Sequence, residues 1–232
     1  MGLYESGRPG KSAPSGPRLL MSKIDHHVHT SRHSPDSVIE PDDLVAEARL
    51  AGLDGVVITE HDYQWAAEEL AELQARAGRL LVLSGAEIST RQGHFLVYGL
   101  PNLDGASPGI DVKDLIAYVR RHDAAIVAAH PFRWEQDFDA IIAECGPNFD
   151  ALELVSNNIT PQTRALTERV ASRHSLGTTG SSDGHEPSVV GCYYTSFPAP
   201  ILSMGDFVRA LRSRSGSPGH TAGRRRTSGP VD

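Results

Sequence analysis

The stretch Ile24-Asp25-His26-His27-Val28-His29-Thr30 is the part of this sequence that most constrains its fold and chemistry. Lys23, Ile24 and Val28 favour a β-strand, in which alternate side chains face the same side. His27 and His29 would then project together. Two imidazoles in this arrangement can supply half of the coordination shell of a divalent metal. A short His-x-His match also occurs on solvated polar strands, so residues elsewhere in the chain must decide between the two interpretations.

Length and composition indicate an ordinary globular protein. The chain has 232 residues, which suits one domain with tails and allows a large buried core. Its two cysteines, Cys145 and Cys192, form no Cys-x-x-Cys motif, which argues against a disulfide framework or a thiolate zinc site. No apolar run approaches the length of a membrane span. We therefore expect a cytoplasmic protein with no membrane partner, and the sequence leaves its oligomeric state open.

Charge is distributed unevenly along the chain. The first 20 residues carry +2 and residues 207–232 carry +5 of a total of −7, so residues 21–206 carry −14. A central region this acidic is a poor surface for nucleic acid unless bound cations reverse its sign locally. A nucleic acid polymer is therefore not the expected partner.

The two ends of the chain differ from its centre in composition. Residues 1–20 and 214–232 are rich in Gly, Pro and Ser, and the second stretch also carries the arginine run 224–226. Neither has the apolar periodicity that could offset the entropy cost of ordering. We predict two disordered tails, the C-terminal one basic, around one domain at 21–213.

Within that domain, apolar runs alternate with helical patterns. Helices are predicted over 41–51, 64–77, 111–122, 138–145, 160–174 and 203–212, and strands over 24–30, 55–59, 80–87, 94–100, 124–129, 151–155 and 176–180. Repeated strand-helix units with continuously apolar strands favour a mostly parallel sheet that is covered on both faces. The predicted fold class is therefore α/β, plausibly a closed barrel.

Side chains with metal-ligand chemistry cluster at the ends of these strands. Besides His27 and His29, the residues concerned are His61, Glu87, His130, Asp183 and His185. In parallel sheets and barrels the carboxyl ends of the strands meet at one edge, where active sites form. Their shared position predicts a metal cluster far more strongly than any one of them alone.

Five short motifs extend this pattern into a family resemblance. They are Asp25-His-His-Val-His-Thr30, Ile58-Thr-Glu-His-Asp62, Gly85-Ala-Glu87, Ala129-His-Pro131 and Gly180-Ser-Ser-Asp-Gly-His185. In order and approximate spacing they resemble the motifs of the PHP (polymerase and histidinol phosphatase) superfamily over about residues 22–200. The resemblance implies a distorted seven-stranded, TIM-barrel-like (β/α)7 barrel. It also implies two or three divalent ions (Zn, Mn, Fe or Mg) at the C-terminal rim of the strands.

The resemblance also implies how these residues share the ions. His27, His29, Glu87 and Asp183 would hold one ion, and Glu87 would bridge to a second ion that also takes His130. A third would be held by His61, His185 and Asp36, with His33 as an alternative to Asp36. Members with three ions commonly supply another His or Cys after the sixth strand, where this chain has Asn157 and Asn158. One ion site is therefore expected to be weakly held.

Two further residues are candidates for substrate binding. His94 begins the fourth predicted strand and could contact substrate or be a structural histidine. Arg133 lies three residues beyond His130, and its guanidinium could bind a phosphate through two hydrogen bonds or be a surface arginine.

The implied activity is phosphoester hydrolysis by a metal-bound hydroxide, with no side-chain nucleophile assigned. Paired divalent ions lower the pKa of bound water and clamp the attacking and leaving oxygens. We expect a metal-dependent phosphoesterase that acts on a small phosphorylated metabolite or nucleotide. The alternatives are a nuclease or proofreading-type phosphodiesterase, a related amide-cleaving metallohydrolase, and a catalytically silent metal-binding module.

Overall fold

The structure is a computed structural model that describes residues 21–224. The predicted N-terminal tail, residues 1–20, lies outside the described residues. The helices are α1 (Pro41–Leu50), α2 (Ala67–Ala77), α3 (Val112–Arg121), α4 (Phe138–Cys145), α5 (Pro161–His174) and α6 (Met204–Arg212). The strands are β1 (Ser22–Val28), β2 (Gly55–Ile58), β3 (Leu81–Ser84), β4 (Ala86–Thr90), β5 (Gly93–Tyr98), β6 (Ala125–Ala128), β7 (Ala151–Val155), β8 (Gly177–Gly180), β9 (Tyr193–Phe197) and β10 (Ser217–His220).

These strands form two mixed sheets of five strands each. The first has the order β10-β9-β1-β2-β3, and the second has the order β4-β5-β6-β7-β8. β1, β2 and β3 run parallel, whereas β9 pairs antiparallel with both β1 and β10. In the second sheet β4, β5 and β6 are antiparallel, and β6, β7 and β8 are parallel. The α/β class is confirmed.

The predicted closed barrel of seven strands is not what forms among residues 21–224. Two strands that the sequence did not predict, β9 and β10, extend the first sheet by antiparallel pairing. The predicted strand over 80–87 is divided at Gly85, with β3 in one sheet and β4 in the other. A Cβ at Gly85 would lie 2.5 Å from the carbonyl oxygen of Val97. The crossing between sheets therefore requires glycine.

The two sheets meet where their parallel strands end. Isolated parallel bridges pair Val28 with Gly184 and His61 with Glu87. The amide of His29 donates to the carbonyl oxygen of Gly184 at 3.0 Å, and the amide of Glu87 donates to that of Glu60 at 3.0 Å. Backbone contacts thus bring the strand ends of both sheets together.

Helix boundaries follow the capping residues of the sequence. α1 begins with Pro41, which needs no amide partner there, and has two acids in its first turn. α5 begins after Thr160, whose hydroxyl accepts from the amide of Thr163 at 3.2 Å. Among residues 21–224, no helix has the length and apolar character needed to cross a lipid bilayer.

Three clusters of buried side chains hold the helices and sheets together. One packs α1 and α2 on the first sheet, and another packs α3, α4 and α5 on the second. The third lies between the sheets and includes Ile24, Val57, Leu96 and, from α6, Phe207. Burial on both faces explains why most strands of this chain read as continuous apolar runs.

Residues 214–224, which were assigned to the C-terminal tail, are described by the structure and include a strand. Ser217–His220 form β10, which pairs with β9 from Ser217↔Ser196 to His220↔Tyr193. This stretch, Ser-Pro-Gly-His, lacks the β-branched and aromatic residues that favour strands, so only its pairing with β9 makes it one. The rest of the predicted basic tail, residues 225–232, lies outside the described residues.

Candidate metal centre

His27 and His29 lie at the end of β1, and both side chains are fully buried. Because alternate side chains of a strand face the same side, the Nε2 atoms of both histidines face the same two carboxylates. Nε2 of His27 lies 3.4 Å from Oε2 of Glu87 and 3.3 Å from Oδ1 of Asp183. Nε2 of His29 lies 3.3 Å and 3.6 Å from the same two atoms. The structure therefore brings together the four residues that the resemblance assigns to one ion.

Glu87 is the centre of the cluster. Its Oε1 lies 3.1 Å from Nε2 of His130 and 3.0 Å from Nδ1 of His94, while Oε2 lies 3.1 Å from Nδ1 of His61. Burial alone would raise the pKa of the Glu87 carboxyl. The imidazoles of His27 and His130 outweigh burial and hold that pKa well below its usual range. Glu87 is therefore an anion with two oxygens turned to different histidines, as a bridging ligand requires.

Asp36 joins the cluster from the loop after β1. Its Oδ2 lies 3.1 Å from Nε2 of His61 and 3.2 Å from Nε2 of His185. Its proposed alternative, His33, turns elsewhere: the His33 ring stacks on Tyr63 at 4.0 Å between centroids. The structure thus places Asp36, and not His33, beside the other two residues assigned to the third ion.

The donor set fits divalent cations. Buried polar atoms nearly always have hydrogen-bond partners, yet Nε2 of His27, Nε2 of His29 and Oε2 of Glu87 have none within the described part of the chain. Imidazole and carboxylate are ligands for Zn, Mn and Fe. Four groups have ligand atoms within 4.8 Å of one another: His27, His29 and Asp183; His27, Glu87 and His130; His29, His61 and His185; and His61, Glu87 and His94.

His94 belongs to this cluster, which sequence reasoning did not anticipate. It was expected to contact substrate or to be structural, but its Nδ1 faces Oε1 of Glu87 beside His130. His94 could have been found from the pairing of β5 with β4. In that antiparallel pairing His94 lies opposite Ser89, which is two residues after Glu87. That pairing could not be recognised while 80–87 was interpreted as one strand.

Glu153, in the middle of β7, was also missed. Its Oε1 lies 3.1 Å from Nδ1 of His27, and its Oε2 accepts from the amide of His130 at 2.8 Å. The hydroxyl of Ser181 donates to Oε1 as well. A carboxylate on Nδ1 fixes the proton there and leaves Nε2 of His27 free for a metal. The signal in the sequence was an acid inside an otherwise apolar strand, Ala-Leu-Glu-Leu-Val.

His29 is oriented in a similar way through a hydroxyl. Ser34 donates to Oε2 of Glu60 at 2.5 Å, so its single proton is already used. The 3.3 Å contact between Ser34 Oγ and His29 Nδ1 then requires the histidine to be the donor. Trp65 Nε1 donates to Oε1 of Glu60 at 2.9 Å, and the amide and hydroxyl of Thr30 also donate to this buried carboxylate.

Two ligand candidates have unusual backbone conformations. His130 has φ 28° and Asp183 has φ 50°, both in the left-handed region that residues other than glycine rarely adopt. Such conformations persist only where the surrounding contacts enforce them, and they concentrate at functional sites. Here the amide of His130 is held by Glu153, and the amide of Ser182 is held by Oδ1 of Asp25 at 2.9 Å.

The end of β7 offers only a neutral amide to the cluster. The side-chain nitrogen of Asn158 donates to Oδ2 of Asp183, and its Oδ1 has no partner among the described residues. Asn157 instead turns its side-chain nitrogen to the carbonyl oxygen of Ser182 at 2.7 Å. Of the two asparagines that stand where the resemblance implies a further ligand, Asn158 is the one that contacts Asp183.

A cavity of about 320 Å³ opens over the cluster. Its lining comprises Asp36, His61, Glu87, His94, His130, Arg133, Trp134, Asn158, Asp183 and His185. The Arg133 guanidinium lies 4.0 Å from the centroid of the Trp134 ring. Both line a neighbouring cavity of about 380 Å³ as well. The structure therefore places Arg133, the other residue expected to bind substrate, beside the metal cluster.

This chain is similar to known proteins in sequence and in fold. One relative, the uncharacterised protein MJ1587 of Methanocaldococcus jannaschii, is 28% identical over 119 residues, covering 47% of this chain and 68% of that protein. The fold is similar to a two-domain protein from Bacteroides vulgatus that contains a predicted PHP-like metal-dependent phosphoesterase. Its TM-score is 0.70 at 20% identity, over 93% of this chain and 70% of that one.

The fold is also similar to that of a lesion-specific endonuclease, PfuEndoQ, from Pyrococcus furiosus. The TM-score is 0.62 at 16% identity, over 84% of this chain and 56% of that one. At these identities the likeness concerns the fold alone. In sequence, the family described as PHP-associated matches residues 162–215, and the family described as PHP domain matches residues 25–175. The chain therefore belongs to the PHP domain family.

Proposed function

We propose that this protein hydrolyses the phosphate ester of a small metabolite or nucleotide with two or three divalent ions held by the cluster around Glu87. The observation that carries the proposal is a set of buried imidazole nitrogens, without partners among residues 21–224, turned to shared carboxylates under a cavity of about 320 Å³. Divalent ions bound there would activate water and offset the charge of the phosphate.

The assignment of ligands starts from the carboxylate oxygen that each imidazole faces. His27, His29 and Asp183 would hold one ion with Glu87 as the bridge, and His94 and His130 would hold the second through the other oxygen of Glu87. Asp36, His61 and His185 would hold the third. In this proposal His94 binds metal and does not contact substrate. It provides the second ion with a stronger ligand than the neutral amide of Asn158.

The remaining residues have positioning roles in this proposal. Arg133 lines the cavity next to the cluster, where its fixed positive charge suits a phosphate oxygen that is not bound to metal. The Trp134 ring, which stacks on that guanidinium and is about two-thirds exposed, would cover the entrance of the cavity and limit access of water. Glu153 would keep His27 in the tautomer that binds metal.

A small substrate is favoured over a polymer by size and charge. A cavity of this volume accommodates a phosphate with a compact organic group. The net charge of −14 on residues 21–206 opposes approach of a polyanion. Cytoplasmic location stays an expectation from the cysteine pattern alone.

The test is a substrate panel on protein purified without chelators, stripped, and reloaded with Mn²⁺, Zn²⁺, Fe²⁺ or Mg²⁺. We expect p-nitrophenyl phosphate to be hydrolysed and Glu87→Gln to remove that activity, while Glu168→Gln, on the exposed face of α5, retains it. Faster cleavage of bis(p-nitrophenyl) phosphate or an oligonucleotide would favour a phosphodiesterase, and cleavage of amides would favour an amidase. Metal binding without turnover of any of these substrates would favour a catalytically silent metal-binding module.

A further inference from the structure

The loop that carries Asp183 and His185 continues over the surface of α1 before entering β9. We call residues 183–192 the ligand loop. Val189 and Val190 within it are buried. At Gly191, which has φ +70°, an added Cβ would lie 2.6 Å from Cβ of Ala51. The loop therefore packs tightly against the end of α1, and any shift in that packing moves the chain that leads to both ligand candidates.

The inner side of the ligand loop is held by one buried acid. Asp25 accepts from the amide of Ser182 at 2.9 Å and from the amide of Gly191 at 2.8 Å. These two amides flank the ligand loop, one just before Asp183 and the other near the loop's end. Asp25, which is a residue of β1, thus fixes both ends of the loop.

The outer side is held by residues 217–224, which we call the C-terminal segment. After β10, the amide of Thr221 donates to the carbonyl oxygen of Cys192 at 3.0 Å, and its hydroxyl donates to that of Gly191 at 2.7 Å. Nη1 of Arg224 donates to the carbonyl oxygen of Val190 at 2.9 Å. Three consecutive carbonyls of the loop are therefore bonded to this segment.

Arg224 also connects the loop to α1. Its Nη2 donates to the backbone oxygen of Glu47 at 2.9 Å and to the Glu47 carboxylate at 2.5 Å. The guanidinium side chain is only 13% exposed. A charge-assisted bond in such a position is stronger and less screened than a surface ion pair. One side chain thus ties the ligand loop to the helix beneath it.

We infer that the C-terminal segment is a positioning element of the metal centre, in which Thr221 and Arg224 fix the ligand loop and thereby the placement of Asp183 and His185. This inference rests on the metal-binding part of the proposed function. It assigns a role to residues whose composition resembles a dispensable basic tail. Neither residue touches a ligand atom, so both act only through the loop.

The test compares full-length variants stripped of metal and titrated with Mn²⁺ alone. Arg224→Ala should weaken Mn²⁺ binding about tenfold, the lower end of the effect of residues that orient metal ligands. Arg224→Lys should recover part of the loss, and Thr221→Val should weaken binding less. The control is Arg209→Ala, because Arg209 on α6 also pairs with an acid but is 74% exposed, and that acid, Asp206, lies on the same helix.

Amide hydrogen exchange of the peptide covering residues 182–192 provides a second measurement that needs no metal. Arg224→Ala should accelerate exchange there, whereas Arg209→Ala should not. If Arg224→Ala only lowers the melting temperature, with unchanged Mn²⁺ affinity and unchanged exchange in this peptide, the inference is overturned. If the wild-type protein binds no Mn²⁺, the proposed function fails, and the exchange result alone then supports or overturns the role of the segment.

Discussion

His26 and His27 are neighbours in the chain, but β1 turns them to opposite sides and gives them opposite chemistry. His26 lies 2.7 Å from the hydroxyl of Tyr98 and 3.1 Å from that of Thr195. Burial lowers the pKa of His26 to about 4, so its ring is neutral at pH 7. Burial would also lower the pKa of His27, but the carboxylates of Asp183 and Glu87 raise it well above the usual value.

His29 faces the same carboxylates as His27, so His29→Ala and His26→Ala form a matched pair of variants. His29→Ala should abolish turnover and tight metal binding while leaving the circular dichroism spectrum unchanged, because this ring serves the cluster more than the core. His26→Ala should keep its metal but lose about 2–3 kcal/mol of stability, because the variant leaves a cavity in place of a buried ring and loses the hydrogen bonds of that ring to Tyr98 and Thr195. Metal content and thermal unfolding separate the two. Loss of secondary structure in His29→Ala would instead show a structural role for that residue.

Glu153 gives a second prediction at this scale. Glu153→Gln keeps the shape of the side chain but replaces the carboxylate that orients His27. Metal affinity should therefore fall about 10–100-fold with little change in fold. Glu168→Gln on neighbouring α5 is the control, and titration of stripped protein with Zn²⁺ is the measurement. Equal affinities for the two variants would show that the contact with His27 is incidental.

The sequence predicted the metal-ligand candidates that lie at the ends of strands. It did not predict residues such as Glu153, whose role depends on a contact with a distant part of the chain. His27, Glu87 and Asp183 could be grouped because parallel strands end at one edge. Glu153 reaches His27 across 126 positions of sequence, and no local pattern encodes that pairing. Ser34 is equally ordinary in sequence and gains its role only through Glu60 and His29.

At the scale of elements, local signals predicted the helices and the buried runs but not which strands pair. α4 was predicted with the bounds that the structure shows, where Asp137 caps the helix and Gly146 follows it. β9 and β10 were missed because antiparallel partners are chosen by tertiary packing. The division of one apolar run into β3 and β4 depends on contacts of Gly85 with residues in β5, which periodicity cannot reveal.

Gly85 therefore carries a prediction about the sheets. In Gly85→Ala the new Cβ would lie 2.5 Å from the Val97 carbonyl oxygen and 2.7 Å from the ring of Tyr98. Backbone must shift, so we expect a loss of about 1–3 kcal/mol and weaker metal binding, since Glu87 follows two residues later. Gly205→Ala, at an exposed position of α6, is the control and should gain about 0.5–1 kcal/mol. Urea unfolding measures both, and a Gly85→Ala protein as stable as wild type would contradict the crowding argument.

At the scale of the whole molecule, the metal centre lies between the two sheets. His27 and His29 come from the first sheet, whereas Glu87 belongs to the second. His130 and Asp183 also follow strands of the second sheet. Among residues 21–224, ladder pairing does not join the sheets, and isolated bridges and side chains do. Bound ions would therefore act as a cross-link.

Removing the ions should consequently lower the stability of the whole protein. A ligand present at about 100 times its Kd stabilises the folded state by about 2.7 kcal/mol. At about 2–4 °C per kcal/mol for a chain of this size, EDTA should lower the melting temperature by roughly 5–10 °C. His29→Ala is the matched control, because a protein that already lacks tight metal binding should melt at the same temperature with and without EDTA. An equal shift in both proteins would mean that the chelator acts elsewhere, and no shift in either would mean that the sheets hold together without the ions.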